Sequence, residues 1–375
     1  MLKILLIHNY YQTHHVGGED KVFDNEFKLL STVLGKSNVF KYVVNNDQIN
    51  KKKILFTIWG NYFHAKAVYK LILKNKINIV HVHNYFPLMT PLVFKAAKKA
   101  GARVILTLHN YRPHCLSGLL YRESQPWCTL CVNKNFKWYG VKYGCYRQSK
   151  LQSLIAACAF AWYGLRKYFD YIDYYFSLTH FQTRLLEQFK VPRDKIHLKP
   201  NGICVPLIRP NSKRNGFIYI GRLENAKGFH HLLKAWQNLE LPLYIVGAVN
   251  QSLISYHPNI NFVGKVEHDK VLEYIKCSKY LIHPGEAVET FGLTILEALA
   301  HGTPVIALNR GTRKELIKDN YNGFLCEPDE LMKTIQKAEE IPDYERLSQN
   351  AHLSAKQFNY DLIINRQIEC YQTLL

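Results

Sequence analysis

Acidic side chains are scarce in this chain of 375 residues: 29 Asp and Glu stand against 49 Lys and Arg, a formal charge of +20. That imbalance points to a polyanionic partner or surface, whether nucleic acid, anionic membrane or phosphorylated substrate. Clustered charge is also missing. The longest basic run is Lys51 to Lys53, so there is no basic tail or arm. No apolar run reaches the roughly 18 residues that a spanning helix needs. The nearest, Leu154 to Leu165, is expected to be a core helix, with a membrane-surface helix as the alternative. No leader is expected either, since Met1-Leu2-Lys3 passes straight into strand-like Ile4 to Ile7 with no small-residue cleavage site. The nine cysteines are therefore expected in a reducing cytoplasm, as thiols or metal ligands and not as disulfides. With 47% apolar and 21% charged residues, disorder is excluded.

What is present is an alternation of strands and helices. The length favours two or more domains. Strand-like runs at Lys3–His8, Val39–Val44, Ile79–His83 and Val104–His109 are separated by helical stretches, and a second series begins at Phe217–Ile220. This is the pattern of a doubly wound α/β sheet. The fold class expected is α/β, with two Rossmann-like domains facing across a cleft. The N-terminal domain is placed at 1–205, with a four-cysteine insertion at 112–149, and the C-terminal domain at 206–355. An amphipathic helix at 356–375 is expected to return to the N-terminal domain. The stretch from Pro206 to Asn215 reads as the linker.

Three loops carry candidate chemistry. Gly17-Gly18-Glu19 follows the first strand and precedes a helix, where small residues let an anion approach backbone N–H groups; an ordinary turn would look the same. In the second domain, Gly221-Arg222 and Lys227 occupy the equivalent place and form a second anion site. The third loop follows the strand Tyr280–His283. Here Glu289 precedes, and Glu297 lies inside, an apolar helix opened by Gly292. A carboxylate on such a helix needs a partner. Either it meets one of the many basic groups, or it accepts hydrogen bonds from paired ligand hydroxyls. The backbone N–H groups at Phe291, Gly292 and Leu293 would face an anion. Hydroxyls together with phosphate describe a nucleotide sugar.

His81, His83 and His109 sit at strand ends, where each is either a satisfied polar residue or functional; His109, followed by Asn110-Tyr111-Arg112, is the strongest. Cys115, Cys128, Cys131 and Cys145 (C-x12-C-x2-C-x13-C) match a tetrahedral thiolate site, most simply structural zinc. Unrelated buried thiols are the alternative.

The joint pattern resembles the retaining glycosyltransferases of family 4, which have the GT-B fold. It comprises E-T-F-G-L-T-I-L-E-A-L-A-H-G-T-P-V-I-A from Glu289, G-R-L-x3-K-G from Gly221, P-N-G at Pro200 and G-G-E at Gly17. His81 through H-N-Y-R to the four cysteines resembles a bacterial subgroup linked to capsule and lipopolysaccharide synthesis. The resemblance implies that Arg222 and Lys227 hold the donor diphosphate and that Glu297 binds ribose. It places Glu289 and His109 at the donor sugar, Gly17 and Gly18 against the diphosphate, and Phe291 to Leu293 as N–H donors. One departure is Thr312, where a second glycine often follows Gly311. No D-x-D is present, so charge stabilisation by Arg222, Lys227 and helix ends, without a catalytic metal, is the consistent expectation.

The activity expected is metal-independent, retaining transfer of a sugar from a nucleoside-diphosphate donor to a glycan or lipid-linked acceptor. It would belong to bacterial capsule, O-antigen or lipopolysaccharide synthesis. The enzyme would lie in the cytoplasm, peripheral to the anionic inner face of the membrane, and would have no nucleic-acid partner. A nucleotide-sugar epimerase or a phosphorylase on the same fold is the nearer alternative. A zinc-containing nucleic-acid-binding protein is the remote one.

Overall fold

A computed structural model describes residues 2–12, 17–207, 214–248 and 258–375, apart from the side chain of Lys51. The central part of the expected linker, residues 208–213, lies outside them. The chain divides into two compact units. One comprises Met1–Leu119, Thr129–Gly202 and Tyr360–Leu375. The other comprises Leu120–Cys128 and Ile203–Asn359.

The first unit is built on β1 (Ile4–Tyr10), β2 (Val39–Asn45), β3 (Ile79–Val82), β4 (Arg103–Thr107), β5 (Tyr174–Ser177) and β6 (Ile196–Leu198). They form one parallel sheet in the order β2-β1-β3-β4-β5-β6. Ile4 to Ile7 and Ile79 to Val82 are buried on both faces, as continuous apolar runs in a helix-covered parallel sheet require. The helices are α1 (Gly18–Leu34), α2 (Lys51–Thr57), α3 (Tyr62–Asn75), α4 (Leu92–Lys99), α5 (Trp138–Lys142), α6 (Lys150–Leu165) and α7 (His180–Gln188).

The basic run at Lys51 opens α2, which the sequence reading passed over as mere charge. Its start signal is Asn50, whose side chain accepts from the N–H groups of Lys52 and Lys53 and so satisfies two of the helix's orphan donors. Helix α6 is not wholly buried. Ala156, Ala157, Phe160 and Tyr163 pack inward, while Leu151 and Leu165 remain 69% and 75% exposed, so the expected core helix has one solvent-facing apolar side.

The second unit repeats the plan. Its strands are β7 (Phe217–Ile220), β8 (Leu243–Val246), β9 (Ile260–Gly264), β10 (Tyr280–His283), β11 (Val305–Leu308) and β12 (Gly323–Cys326). They form a parallel sheet in the order β12-β11-β10-β7-β8-β9. Its helices are α8 (Phe229–Trp236), α9 (His268–Cys277), α10 (Leu293–Ala300), α11 (Arg313–Leu316), α12 (Leu331–Glu339) and α13 (Tyr344–Ala355). Each unit has its own core, one around Phe217, Trp236, Tyr280 and Phe324, the other around Ile4, Phe23, Ile105 and Phe176. The last helix, α14 (Tyr360–Thr373), contributes Ile364, Ile368 and Tyr371 to the first unit's core.

Strand order reverses direction between β1 and β3 in one sheet and between β7 and β10 in the other. Ligands of open α/β sheets bind beyond the strand ends at such points. All three candidate loops lie there.

Candidate functional site

The second unit's site begins at Lys227. Residues Asn225–Lys227 form a single helical turn after β7, and Gly228 carries the chain into α8 with φ of 71°. A Cβ at Gly228 would lie 1.7 Å from the Pro284 carbonyl oxygen, so glycine alone lets this loop rest on the loop after β10. That contact brings Lys227 Nζ into an ion pair with the Glu289 carboxylate. His283, at the end of β10, places Nε2 3.6 Å from Glu289 Oε2. Arg313, only 1% exposed, donates from Nε to His283 Nδ1 at 3.1 Å and from Nη2 to the Ala287 carbonyl at 2.9 Å.

These charges decide the state of Glu289. Burial by itself would raise its pKa, but Lys227, His283 and Arg313 outweigh burial and hold the carboxyl well below the usual range. His283 is pushed the other way, chiefly by burial, and is neutral. Thr312, the departure from a second glycine, donates its hydroxyl to the backbone carbonyls of Glu289 and Phe291, each at 3.3 Å. It thereby pins the main chain of the loop that carries Glu289.

Gly292 precedes α10 with φ of 99°, and no side chain caps the helix. The first N–H groups, at and after Leu293, are thus in the position where helices receive anions. Glu297, on the second turn, is 7% exposed, with Oε1 3.4 Å from His268 Nε2. Arg222 is exposed and paired with Glu224 at 3.0 Å. Its carbonyl accepts from Tyr219 Oη at 2.7 Å. Gly221 lies against Gly247, whose Cβ would sit 2.0 Å from the Gly221 oxygen. Lys227 and Glu289 are therefore in direct contact, whereas Arg222 turns to Glu224 and Glu297 to His268.

In the first unit, Gly17 caps α1, and its N–H donates to Asp20 Oδ2 at 3.3 Å; Gly18 is exposed. Residues 13–16 of this loop lie outside the described set. His109 Nε2 lies 2.9 Å from His83 Nδ1, and both rings line a recess with Asn84, Asn110 and Arg112. Behind them is a buried network. Glu26 pairs with Lys199, and its Oε1 lies 3.2 Å from His81 Nδ1 and 3.3 Å from His83 Nε2. Burial pushes His83 down to about 3 and His109 well below its ordinary value. Glu19 accepts from Asn84 at 2.9 Å and from Asn110 at 3.3 Å, and burial raises its pKa against His8, Tyr11 and Arg112.

Sequence reasoning singled out none of Glu26, Lys199 and Arg313, gave Glu19 no role of its own, and marked Thr312 only as a departure from the family pattern. Glu19 had a signal, as the acid directly after Gly17-Gly18. Arg313 had none, because its burial depends on a loop thirty residues earlier.

The insertion is mostly turns around α5, and Leu120–Cys128 groups with the second unit. There Tyr121 donates to Glu286 at 3.2 Å, and Asn225 donates to Glu123 at 2.8 Å. Among the described residues, His, Cys, Asp and Glu ligand atoms gather within 4.8 Å of one another at Glu26–His81–His83 and at His230–His231–Glu286. The thiols of Cys115, Cys128, Cys131 and Cys145 form no such group, so the zinc set expected there is not gathered. All four are free.

Family comparison agrees with this geometry. The description "Glycosyltransferase Family 4" matches residues 50–205, and "Glycosyl transferases group 1" matches residues 208–354. The chain belongs to the family 4 glycosyltransferases, and its two Rossmann-like domains make the GT-B fold. It is 28% identical over 196 residues to an uncharacterized glycosyltransferase of Haemophilus influenzae, covering 48% of this chain and 55% of that one. It is 26% identical over 178 residues to O-antigen chain mannosyltransferase C of Escherichia coli, covering 43% and 47%. The chain thus spans about half the length of the curated relatives it matches. Among solved structures, Anabaena HepE in complex with UDP superposes with a TM-score of 0.67 at 17% identity, covering 99% of this chain and 100% of that one.

Proposed function

We propose that the chain is a retaining glycosyltransferase that moves a sugar from a nucleoside-diphosphate donor to a glycan or lipid-linked acceptor. Its place is the synthesis of bacterial surface polysaccharide: capsule, O-antigen or lipopolysaccharide. The observation that carries the reading is the Lys227–Glu289 pair at the open start of α10, at the strand-order reversal between β7 and β10. An ionised carboxylate accepts sugar hydroxyls, and a lysine beside a helix start takes a diphosphate. Glu297 is the ribose ligand. Arg222 and Lys227 neutralise the leaving diphosphate, and its departing oxygen takes the acceptor's proton, so no side-chain base is required. That HepE was solved with UDP and that a relative is an O-antigen mannosyltransferase support this reading.

A panel of UDP-, GDP-, dTDP- and ADP-sugars tests it by thermal shift. A donor at 100 times its Kd stabilises by about 2.7 kcal/mol. At least one member should raise the melting temperature, and the same sugar should then appear on acceptor lipid extracts with its anomeric configuration kept. A flat panel would overturn the assignment.

The enzyme acts at the inner face of the cytoplasmic membrane. Supporting this is the outward side of α2, α3 and the turn between them, where Leu55, Phe56, Trp59, Tyr62 and Phe63 are exposed. Lys52, Lys53, Lys66 and Lys70 are exposed on the same two helices. Aromatic side chains interleaved with lysines suit an anionic bilayer surface.

A further inference from the structure

Arg313 is a buried guanidinium to which the donor reading gives no task. The group stays protonated inside the fold, although burial lowers its pKa to about 10, so it can only donate. Its Nε–H is spent on His283 Nδ1, which must then be a bare lone pair. The neutral ring therefore carries its proton on Nε2, the atom facing Glu289 Oε2. Arg313 fixes the tautomer of His283, and His283 presents an N–H to the carboxylate. Nη1 of Arg313 is buried without a hydrogen-bond partner among the described residues. A buried charge with an unmet donor costs stability, which the fold tolerates here behind Glu289.

The donor reading supplies the reason. Lys227 cannot neutralise Glu289 and a diphosphate equally well. When phosphates draw Lys227 away, the half-buried Glu289 is left where desolvation favours the protonated form. The groups that face the carboxylate are Lys227, His283 and Arg313, together with the Tyr219 phenol on β7. Of these, only Arg313 is a permanent cation that the donor does not recruit.

We propose that Arg313, acting through His283, is a positioning residue that keeps Glu289 ionised and oriented for sugar hydroxyls while Lys227 serves the donor phosphates. The proposal rests on the donor roles given above to Lys227 and Glu289, but part of its test needs no donor.

Lys227→Ala imitates withdrawal of the lysine in the ligand-free chain. Infrared difference spectra at neutral pH should then show no protonated carboxyl at Glu289. Lys227→Ala with Arg313→Met should show one, and the band should disappear when Glu289→Gln is added. His283→Phe in place of Arg313→Met should give the same band, which guards against a fold lost with the arginine. Absence of the band in both combined variants overturns the proposal, whatever the chain's donor.

The second arm uses the nucleotide sugar that the thermal-shift panel selects and the nucleoside diphosphate that it contains. Arg313→Met should weaken the nucleotide sugar about tenfold, equivalent to about 1.4 kcal/mol, and leave the bare nucleoside diphosphate within about twofold. The deficit should grow as pH falls, because Glu289 then takes up a proton, and shrink as pH rises. Equal weakening of both ligands would mark Arg313 as merely structural and overturn the proposal. A panel that selects no donor sinks the donor reading, while the infrared arm still decides the role of Arg313.

Discussion

At the scale of single residues, the division of labour around the β10–α10 loop predicts distinct kinetic defects. If Lys227 and Arg222 neutralise the leaving diphosphate as proposed, Lys227→Ala and Arg222→Ala should lower kcat, by about 100-fold for Lys227 if it acts like other electrostatic stabilisers of a transition state. Arg222 should show a smaller loss, because it already faces solvent and Glu224. As the proposed ribose ligand, Glu297 makes a ground-state contact, so Glu297→Ala should raise the donor KM with little change in kcat. Steady-state kinetics with the selected donor distinguishes these, and unchanged turnover in both basic variants would remove the leaving-group assignment. Legibility at this scale followed chain locality. Glu289, Glu297 and the Gly221–Gly228 loop could be read because each motif is contiguous. Arg313 and His283 could not be paired from sequence, since their contact depends on β11 lying beside β10.

At the scale of elements, alternating strands and helices made both sheets readable, because buried parallel strands are apolar without interruption. The elements missed were those whose signal is a cap and not a periodic face. Asn50 begins α2 and Asp343 begins α13, each by accepting backbone N–H groups. Missing α2 concealed the aromatic surface. Along α3, Ala65, Val68 and Ile72 are buried while Tyr62, Phe63, Lys66, Tyr69, Lys70 and Leu73 are exposed. Since a helix this amphipathic should hide its aromatics, an apolar outer face argues for a surface that receives it. Replacing Phe56 and Phe63 by serine should reduce co-sedimentation with vesicles rich in anionic lipid by at least about tenfold, since each buried Phe contributes about 1.5–3 kcal/mol. Added salt should release the wild type as well, at about 1 kcal/mol for each lysine screened. Binding that ignores both changes would exclude this face as the docking surface.

At the scale of the whole molecule, acid stability reports how polar groups are buried. His83, held near 3, together with His81 and His109, is neutral within the first unit. The unfolded chain protonates these residues at about pH 6.5, whereas the folded chain resists. Between those values the unfolded state binds more protons, so stability falls as pH falls. A single fully buried histidine contributes a slope of at most about 1.4 kcal/mol per pH unit. Glu26 and Glu289 are held below the usual carboxylate range, so their contribution is complete above about pH 4.3 and is lost only at lower pH. The histidine effect therefore comes first, and rising positive charge on a chain already at +20 adds to it. Urea unfolding followed from about pH 7.5 to about pH 5 should show a midpoint that declines below about pH 6.5, before Glu26 or Glu289 titrates. His83→Gln should make that decline shallower while lowering stability at neutral pH, because the amide cannot take up a proton on unfolding. A midpoint independent of pH over this range would mean that these histidines are not held neutral behind β3 and β4.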